Sequence, residues 1–397
     1  MKKIMLLGGS PQQIPAIKYA KSKGFYTIVC DYLNDNPGQK FADKFYLEST
    51  TNMNQILEIA KKEKIDGIVA YASDPAASTA AYVSEQLGLN TNPYKSVEIL
   101  SSKNKFRNFL KRNDFSVPKT LASKEFEEIE KGISAFNLPI LMKPTDSSGS
   151  KGITKLYMLD NLEESFYLAK EFSREGMVII EEFIEMDHDY LIGGDFFVLD
   201  GKLEFLGLLN CHRDNYVNPL VPVGKSFPAK IDSDRVKIIE TELKKIIKIL
   251  GLNFGGFNVE MMFNKDNELF FIEIGPRSGG NMIPELLKLV SEINMMELTI
   301  DKAMGEPVIK PKAKFNKYYA THNLHTKENG TLKSIEFDSE LEKYIIKKEI
   351  YVEDNDQVSF FDSANKALGI IFMKFTSMEE MYSTLDRINN LIKIEVR

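Results

Sequence analysis

The chain has 397 residues, 43% of them hydrophobic and 27% charged, with a formal net charge of −6. That length allows two or three packed domains, and the acidic balance excludes the broad basic footprint of a nucleic-acid binder. No run approaches the ~18 apolar residues that span a bilayer, and two cysteines, Cys30 and Cys211, give no disulfide framework, so a reducing cytoplasm is the expected location.

Met1-Lys2-Lys3 has the charge of an export signal, but the apolar run that follows, Ile4 to Leu7, stops at Gly8-Gly9 and is too short for one. Ile4 to Leu7 reads instead as a buried strand. Gln13 to Lys23 follows as a helix with Ile14, Ile17 and Ala20 on one face and Gly24 as its stop. A strand at Tyr26 to Val29 precedes Asp31. Then come a helix near Asn54 to Lys62, a strand Gly67 to Tyr71 and a helix Ala76 to Leu87. This alternation predicts a parallel sheet with right-handed crossovers, ending at a boundary near Asn92-Pro93. Beyond it the spacing predicts a helix over Ser96 to Lys111, then an α+β block over 119–184 containing the loop Asp146 to Gly152. Tyr190 to Ile274 reads as strands around one long helix, Ser233 to Leu250. The last ninety residues read as short strands and a final helix, Met378 to Leu391.

Phe257 to Phe263 and Leu269 to Ile274 flank Asn264-Lys265-Asp266-Asn267-Glu268 as a β-hairpin. A turn centred between Asp266 and Asn267 sets Glu260 opposite Glu273. Like charges there repel unless something positive lies between them, and oxygen ligands at that spacing suit Mg²⁺ completed by phosphate oxygens and water. The plainer alternative is a hairpin with solvated glutamates. Arg277 follows in the Gly-rich stretch Gly275 to Gly280, placed to meet a phosphoryl or acyl-phosphate oxygen, or simply to lie at the surface. Lys143 closes the apolar strand Leu138 to Met142, an expensive place for an ammonium without an anion. The Ser/Gly loop after it offers amides and hydroxyls to phosphate oxygens, or is a plain linker.

These segments resemble the ATP-grasp superfamily in their order. Lys103, Arg107, Leu110 and Pro118 fit its "DKxxxRxxLxxxGxPxP" segment, with Ser102 and Asp114 departing from it, and Leu138 to Gly152 fits its "PxxxKPxxxxGSxG" strand and loop. Val178 to Ile184 resembles the hinge that holds adenine. The resemblance implies that Lys103, Lys143 and the loop residues Ser147, Ser148, Gly149 and Ser150 contact ATP phosphates. It implies that the backbone of Glu181, Glu182, Phe183 and Ile184 pairs with adenine, and that Asp189, or His188 in another alignment, meets the ribose. Glu260 and Glu273 would hold Mg²⁺ (Mn²⁺ as an alternative ion), and Arg277 with Lys143 would act on the acyl-phosphate. Two departures stand out: Gly275 replaces an Asn that usually follows the second metal acid, and Met186-Asp187-His188-Asp189 replaces a Gly-x-Glu.

The resulting expectation is an α/β and α+β protein of the ATP-grasp fold: a parallel-sheet domain over 1–93, an ATP-grasp domain over 94–305 with a lid at about 117–184, and a β-rich subdomain over 306–397. Its expected activity is ATP-dependent joining of a small-molecule carboxylate to an amine, with homodimerisation as a family expectation and no nucleic-acid or membrane partner. An ATP-grasp carboxylase or phosphoryl transferase is the alternative. A dehydrogenase is remote, because Gly8-Gly9-Ser10-Pro11-Gln12-Gln13 lacks the second and third glycines of Gly-x-Gly-x-x-Gly. Gly9, Ser10, Ser73 and Asp74 end on the side where such sheets bind ligands. Cys211 to Asp214 could line the acceptor pocket, with His212 more at home in a structural role. His322 and His325, on opposite faces if both lie on a strand, make a poor zinc pair.

Overall fold

A computed structural model describes residues 1–147, 149–214 and 217–397. The N-terminal unit is built from β1 (Lys3–Leu7), α1 (Ile14–Ser22), β2 (Tyr26–Asp31), β3 (Lys44–Leu47), α2 (Met53–Glu63), β4 (Gly67–Val69) and α3 (Asp74–Leu87). Its four strands are parallel in the order β3-β2-β1-β4. Parallel strands are apolar throughout because both faces are covered. Met5, Leu7, Ile28 and Ile68 pack toward α2 and α3, while Ile4, Leu6 and Val29 pack toward α1.

α4 (Tyr94–Leu100) and α5 (Lys103–Arg112) follow. The single helix expected over 96–111 is therefore two, interrupted at Ser101-Ser102, where the turn aims Lys103 and Arg107 inward. The segment expected as a lid consists of β5 (Thr120–Ser123), α6 (Phe126–Gly132), β6 (Ile140–Pro144), β7 (Thr154–Leu156), α7 (Leu162–Glu171) and β8 (Val178–Glu182), its strands forming an antiparallel sheet in the order β5-β8-β6-β7.

The body contains β9 (Leu191–Leu199), β10 (Lys202–Asp214), β11 (Asn218–Phe227), α8 (Ser233–Leu250), β12 (Phe254–Phe263), β13 (Leu269–Gly275), α9 (Ile283–Ser291) and α10 (Met295–Ala303). After it come β14 (Tyr319–Leu324), β15 (Gly330–Phe337), α11 (Ser339–Glu342), β16 (Ile345–Ile350), β17 (Gln357–Val358), β18 (Gly369–Lys374), α12 (Met378–Leu385), α13 (Ile388–Leu391) and β19 (Ile392–Val396). The one helix expected over 378–391 is thus two short helices. α8 runs from an Asp232 cap, whose side chain accepts from the Asp234 and Arg235 amides, to left-handed Gly251.

Two expected boundaries are crossed by cores. An eight-stranded sheet runs β13-β12-β9-β10-β11-β14-β18-β16, so strands from beyond residue 305 extend the sheet of the preceding segment. α10 sends Met296, Ile300 and Ala303 into the core of the N-terminal sheet, so the second face of that sheet is closed by chain from another domain. Among the described residues, no helix is long and apolar enough to cross a membrane.

Candidate active site

Glu260 and Glu273 pair directly across β12 and β13, as the hairpin pattern predicts, although the local route differs. Phe263 pairs with Leu269 and Met261 with Phe271, which centres the turn on Asp266. A bulge after Glu260 leaves Ile272 unpaired and restores the acids to opposition. Bulges re-aim side chains in this way near functional sites. The two acids keep 23% and 33% of their side chains exposed. Burial pushes the Glu273 carboxyl up; Lys103 opposes this, while Asp74 and Glu260 add to the rise. Burial works the same way on Glu260, but Lys225 and then Arg213 hold it below the ordinary carboxylate range. Two facing carboxylates invite a divalent cation. Among the described residues no third His, Cys, Asp or Glu joins them, a donor set that fits Mg²⁺ sharing its shell with phosphate oxygens and water rather than an all-protein cage.

Lys103 Nζ lies 3.8 Å from Glu273 Oε2 and donates to the Ser147 carbonyl at 2.8 Å. It therefore joins the acid pair to the Ser/Gly loop. A cleft opens here, lined by Asp74, Ser101, Lys103, Asp146, Ser147 and Glu273 among others. Behind it, Arg107 Nε donates to Glu181 Oε1 at 2.8 Å, and Lys143 Nζ stands 2.5 Å from Glu181 Oε2. Lys143, expected at the phosphates, is thus closed on a carboxylate that the sequence offered only for its backbone. Burial would raise Glu181, yet Arg107 and Lys143 bring it down to about 2. Burial pulls the Lys143 ammonium below its ordinary value against the pull of Glu181. Arg107 also donates to the carbonyls of Phe271 (3.2 Å) and of the bulged Ile272 (2.9 Å), so one guanidinium ties the lid to the strand that carries Glu273.

Arg277 meets the carboxylate of Asp74 at the start of α3 and donates through Nη1 to the Ser278 carbonyl at 3.0 Å. Its buried Nε has no partner, a donor aimed where an anion would be welcome. Gly275 has its explanation here. A Cβ at this position would stand 3.1 Å from Asp74 Oδ1 and 3.3 Å from Arg277 Cζ, so the space of the usual Asn side chain is held by an ion pair. Asn258, opposite Gly275, donates to the Gly194 carbonyl and to Asp195 Oδ1. This fixes its amide and turns its oxygen away from those partners. Asp195, fully buried, also accepts from the Gly279 amide at 2.8 Å. Burial lifts it to about 6 against the pull of Asn258, Gly279 and Arg277.

The remaining predicted residues divide. In the hinge, the Glu182 amide donates to Lys119 and the Phe183 amide to Pro139, so these two N–H groups are not free for adenine. The Ile184 amide, past the strand end, has no backbone partner among the described residues. The Glu182 carboxylate accepts from Asn137, and Lys155 Nζ lies over the Phe183 ring at 3.3 Å. In the loop, Ser150 Oγ donates to the Leu220 carbonyl at 2.8 Å and Gly149 takes a left-handed φ of +69°; Ser148 lies outside the described residues. Asp189 is exposed and paired with Lys230. His188, its alternative, is engaged at both ring nitrogens: its Nδ1 contacts the Tyr190 carbonyl and its Nε2 accepts from the Phe263 amide. At the Gly8-Gly9 turn, Asp31 takes the Gly9 amide and Gln13 the Ser10 amide, so no pyrophosphate cradle is left and the dehydrogenase alternative falls. His212 bonds Ser226 Oγ at 2.8 Å, a structural role. His325 lies one residue past β14, so its ring comes within 5.5 Å of His322 rather than on the opposite face, and it pairs with Asp214.

Sequence reasoning passed over Asp195 and Lys225 and gave Arg107 no role in the site. Each carries a signal in retrospect: Asp195 and Lys225 are single charges inside apolar strands, in Gly193-Gly194-Asp195-Phe196-Phe197 and Val221-Pro222-Val223-Gly224-Lys225, and such charges are costly when buried.

Residues 100–281 match the model of the ATP-grasp domain. The chain is 26% identical over 335 residues to the carbamoyl phosphate synthase large chain of Pseudothermotoga lettingae, covering 79% of this chain but only 28% of that one. It is 27% identical over 322 residues to the formate-dependent phosphoribosylglycinamide formyltransferase of Prochlorococcus marinus, covering 77% and 78%. Among solved structures, phosphoribosylglycinamide synthetase from Anaerococcus prevotii superposes with a TM-score of 0.77 at 25% identity over the whole of both chains.

Proposed function

We propose that this chain, whose residues 100–281 match the model of the ATP-grasp domain, is an ATP-grasp ligase that uses ATP to join a small-molecule carboxylate to an amine. The reading rests on one observation above all: Glu260 and Glu273 face each other across β12 and β13, with Lys103 and Arg277 beside them. Relatives point the same way, one of them a formate-dependent enzyme.

A carboxylate resists attack because its charge repels a nucleophile and oxide leaves poorly. Phosphoryl transfer from ATP to a carboxylate oxygen makes phosphate the leaving group, and an amine then displaces it. Mg²⁺ held by Glu260 and Glu273 would neutralise phosphate charge. Lys103 holds the Ser/Gly loop and faces the phosphates. Lys143 shares Glu181 with Arg107 and adds a buried positive charge behind the same place. The unpartnered Nε of Arg277 offers a hydrogen bond to charge developing on the acyl-phosphate. The loop residues Ser147, Gly149 and Ser150 cover the phosphates, the Ile184 amide and neighbouring carbonyls of 181–184 take the adenine edge, and Asp189 exchanges Lys230 for the ribose. Most of the rate comes from positioning and charge neutralisation. Two free, buried cysteines suit a reducing cytoplasm, and a homodimer follows the family resemblance.

The test is ADP and phosphate release from Mg-ATP across a panel of carboxylates, each with and without amines, with Glu273→Ala as control. Release that needs one carboxylate–amine pair and vanishes in the variant supports the ligase. Release with bicarbonate alone favours a carboxylase, and release unchanged in Glu273→Ala removes the site.

A further inference from the structure

One helix beyond the residues that match the ATP-grasp model reaches the turns assigned to the ribose. Tyr382, on α12, is half-buried over the entry to β9 and the turn that follows β11. The Tyr190 ring stacks on it, with centroids 5.7 Å apart and planes 7° from parallel. Asn210 Nδ2 donates to the Tyr382 hydroxyl at 2.9 Å, and the Lys230 ammonium lies 6.0 Å from the centre of its ring.

These contacts converge on one ion pair. Asp189, next to Tyr190 in the chain, pairs with Lys230, and the two side chains are 59% and 55% exposed. Such a pair adds little to stability, so Asp189 can trade Lys230 for a ligand hydroxyl. A carboxylate on a free turn loses conformational entropy when it binds, and a turn fixed beforehand loses less. Asn210, 1% exposed, supplies part of that fixing. Its Oδ1 accepts from the Lys230 amide at 2.8 Å, and its Nδ2 also lies 3.0 Å from Ser226 Oγ and 3.1 Å from the Pro228 carbonyl. His212 closes the group, 2.8 Å from Ser226 Oγ and with its ring 4.8 Å from that of Tyr190. Asn210 and Ser226 pair across β10 and β11, as do Cys211 and Lys225. Side chains alternate along a strand, so this network lies on the sheet face opposite Lys225 and the acid pair it meets.

We propose that Tyr382 is a positioning residue for the ribose of ATP, setting Asp189 and Lys230 through Tyr190 and Asn210. This rests on the reading of Asp189 as the ribose contact and adds what holds that contact in place. It also makes the C-terminal segment a working part of the nucleotide site. The two parts of the side chain have separate tasks. The ring stacks on Tyr190 and fixes the backbone beside Asp189. The hydroxyl takes a proton of the Asn210 amide, whose oxygen holds the Lys230 backbone. The ligand favoured is a nucleoside triphosphate with both ribose hydroxyls, because a 2′- or 3′-deoxy analogue lacks a donor for Asp189. A tyrosine that only held α12 against the body would affect all of these nucleotides alike.

The test is calorimetric titration of the full chain with ATP, 2′-deoxy-ATP and 3′-deoxy-ATP in excess Mg²⁺. The proteins are wild type, Tyr382→Phe, Tyr382→Ala, Asp189→Ala and the double variant of Asp189→Ala with Tyr382→Ala. Wild type is expected to prefer ATP over at least one deoxy analogue by about 10-fold, the scale of one charge-assisted hydrogen bond. In Tyr382→Ala that preference shrinks toward one, through weaker ATP binding and not through tighter binding of the analogue. Tyr382→Phe, which keeps the stack and loses the hydroxyl, falls between the two. In the Asp189→Ala background, Tyr382→Ala changes nothing further, as coupled residues require. The proposal is overturned if Tyr382→Ala weakens all three nucleotides by one factor, or if the double variant loses more than Asp189→Ala alone. If Tyr382→Ala binds no nucleotide, Tyr382→Phe decides, and a preference equal to that of wild type overturns the proposal. A preference lost in Asp189→Ala but kept in Tyr382→Ala removes only the role of Tyr382. A wild type without preference, or a preference unchanged in Asp189→Ala, removes the ribose reading and this proposal with it.

Discussion

Replacing Glu181 with Gln tests whether lid and body are joined by charge. Glu181 is 2% exposed and lies between Arg107 and Lys143, with contacts of 2.8 Å and 2.5 Å. Its carboxyl titrates at about 2 in the folded protein against 4.5 for an ordinary Glu. A folded pKa below the unfolded one means that the stabilisation is fully present above pH 4.5 and is lost as pH falls toward 2. The gap of roughly two and a half units corresponds to about 3 kcal/mol. Removing one member of a buried ion cluster leads to a similar figure, about 3–5 kcal/mol, because two cations are left facing each other. A chain with several packed units need not unfold in one step, so the loss is expected locally. Amide exchange in β6 and β8 should accelerate about 100-fold at neutral pH, with the N-terminal sheet unaffected. Arg107 also holds the bulge at Ile272, so ADP release should fall with lid protection. Exchange in those strands within a few-fold of wild type would refute the clamp, and an acid transition of the wild-type lid centred above pH 4.5 would refute its charge assignment.

Gly275→Asn restores the residue usual in the family, but its Cβ would crowd the Asp74–Arg277 pair at 3.1–3.3 Å. ADP release is expected to fall at least about 10-fold, the scale of one misplaced phosphate-facing group, and a gain of activity would show that the pair is dispensable. Asp195→Asn addresses a carboxyl lifted to about 6 by burial. Because its folded pKa lies above the unfolded value, it erodes stability as pH rises from about 4 to about 6. The neutral variant turns its NH2 toward one of the donors that Asp195 accepts from, but its stability should fall less than that of wild type between pH 4 and pH 8, by up to about 3 kcal/mol. Thermal melts at the two pH values check this, and parallel curves for both proteins would rule it out.

What the sequence determined by itself is what short-range pattern encodes. The alternation of apolar strands and amphipathic helices up to residue 93 specified a parallel sheet, and polar residues between two apolar runs specified a hairpin with Glu260 near Glu273. Neighbours along the chain carry that information. The tertiary structure decided the partners. Arg107 meets Glu181 and Ile272, Arg277 meets Asp74, and Lys225 meets Glu260, each across a sequence separation no periodicity spans. Even the facing acids needed a bulge whose carbonyl is held by an arginine 165 residues away. Burial turns such distant pairings into requirements, because a charge removed from water must find its opposite wherever the fold brings one. The sequence marks the residues that will need a partner, and only the packed chain supplies it.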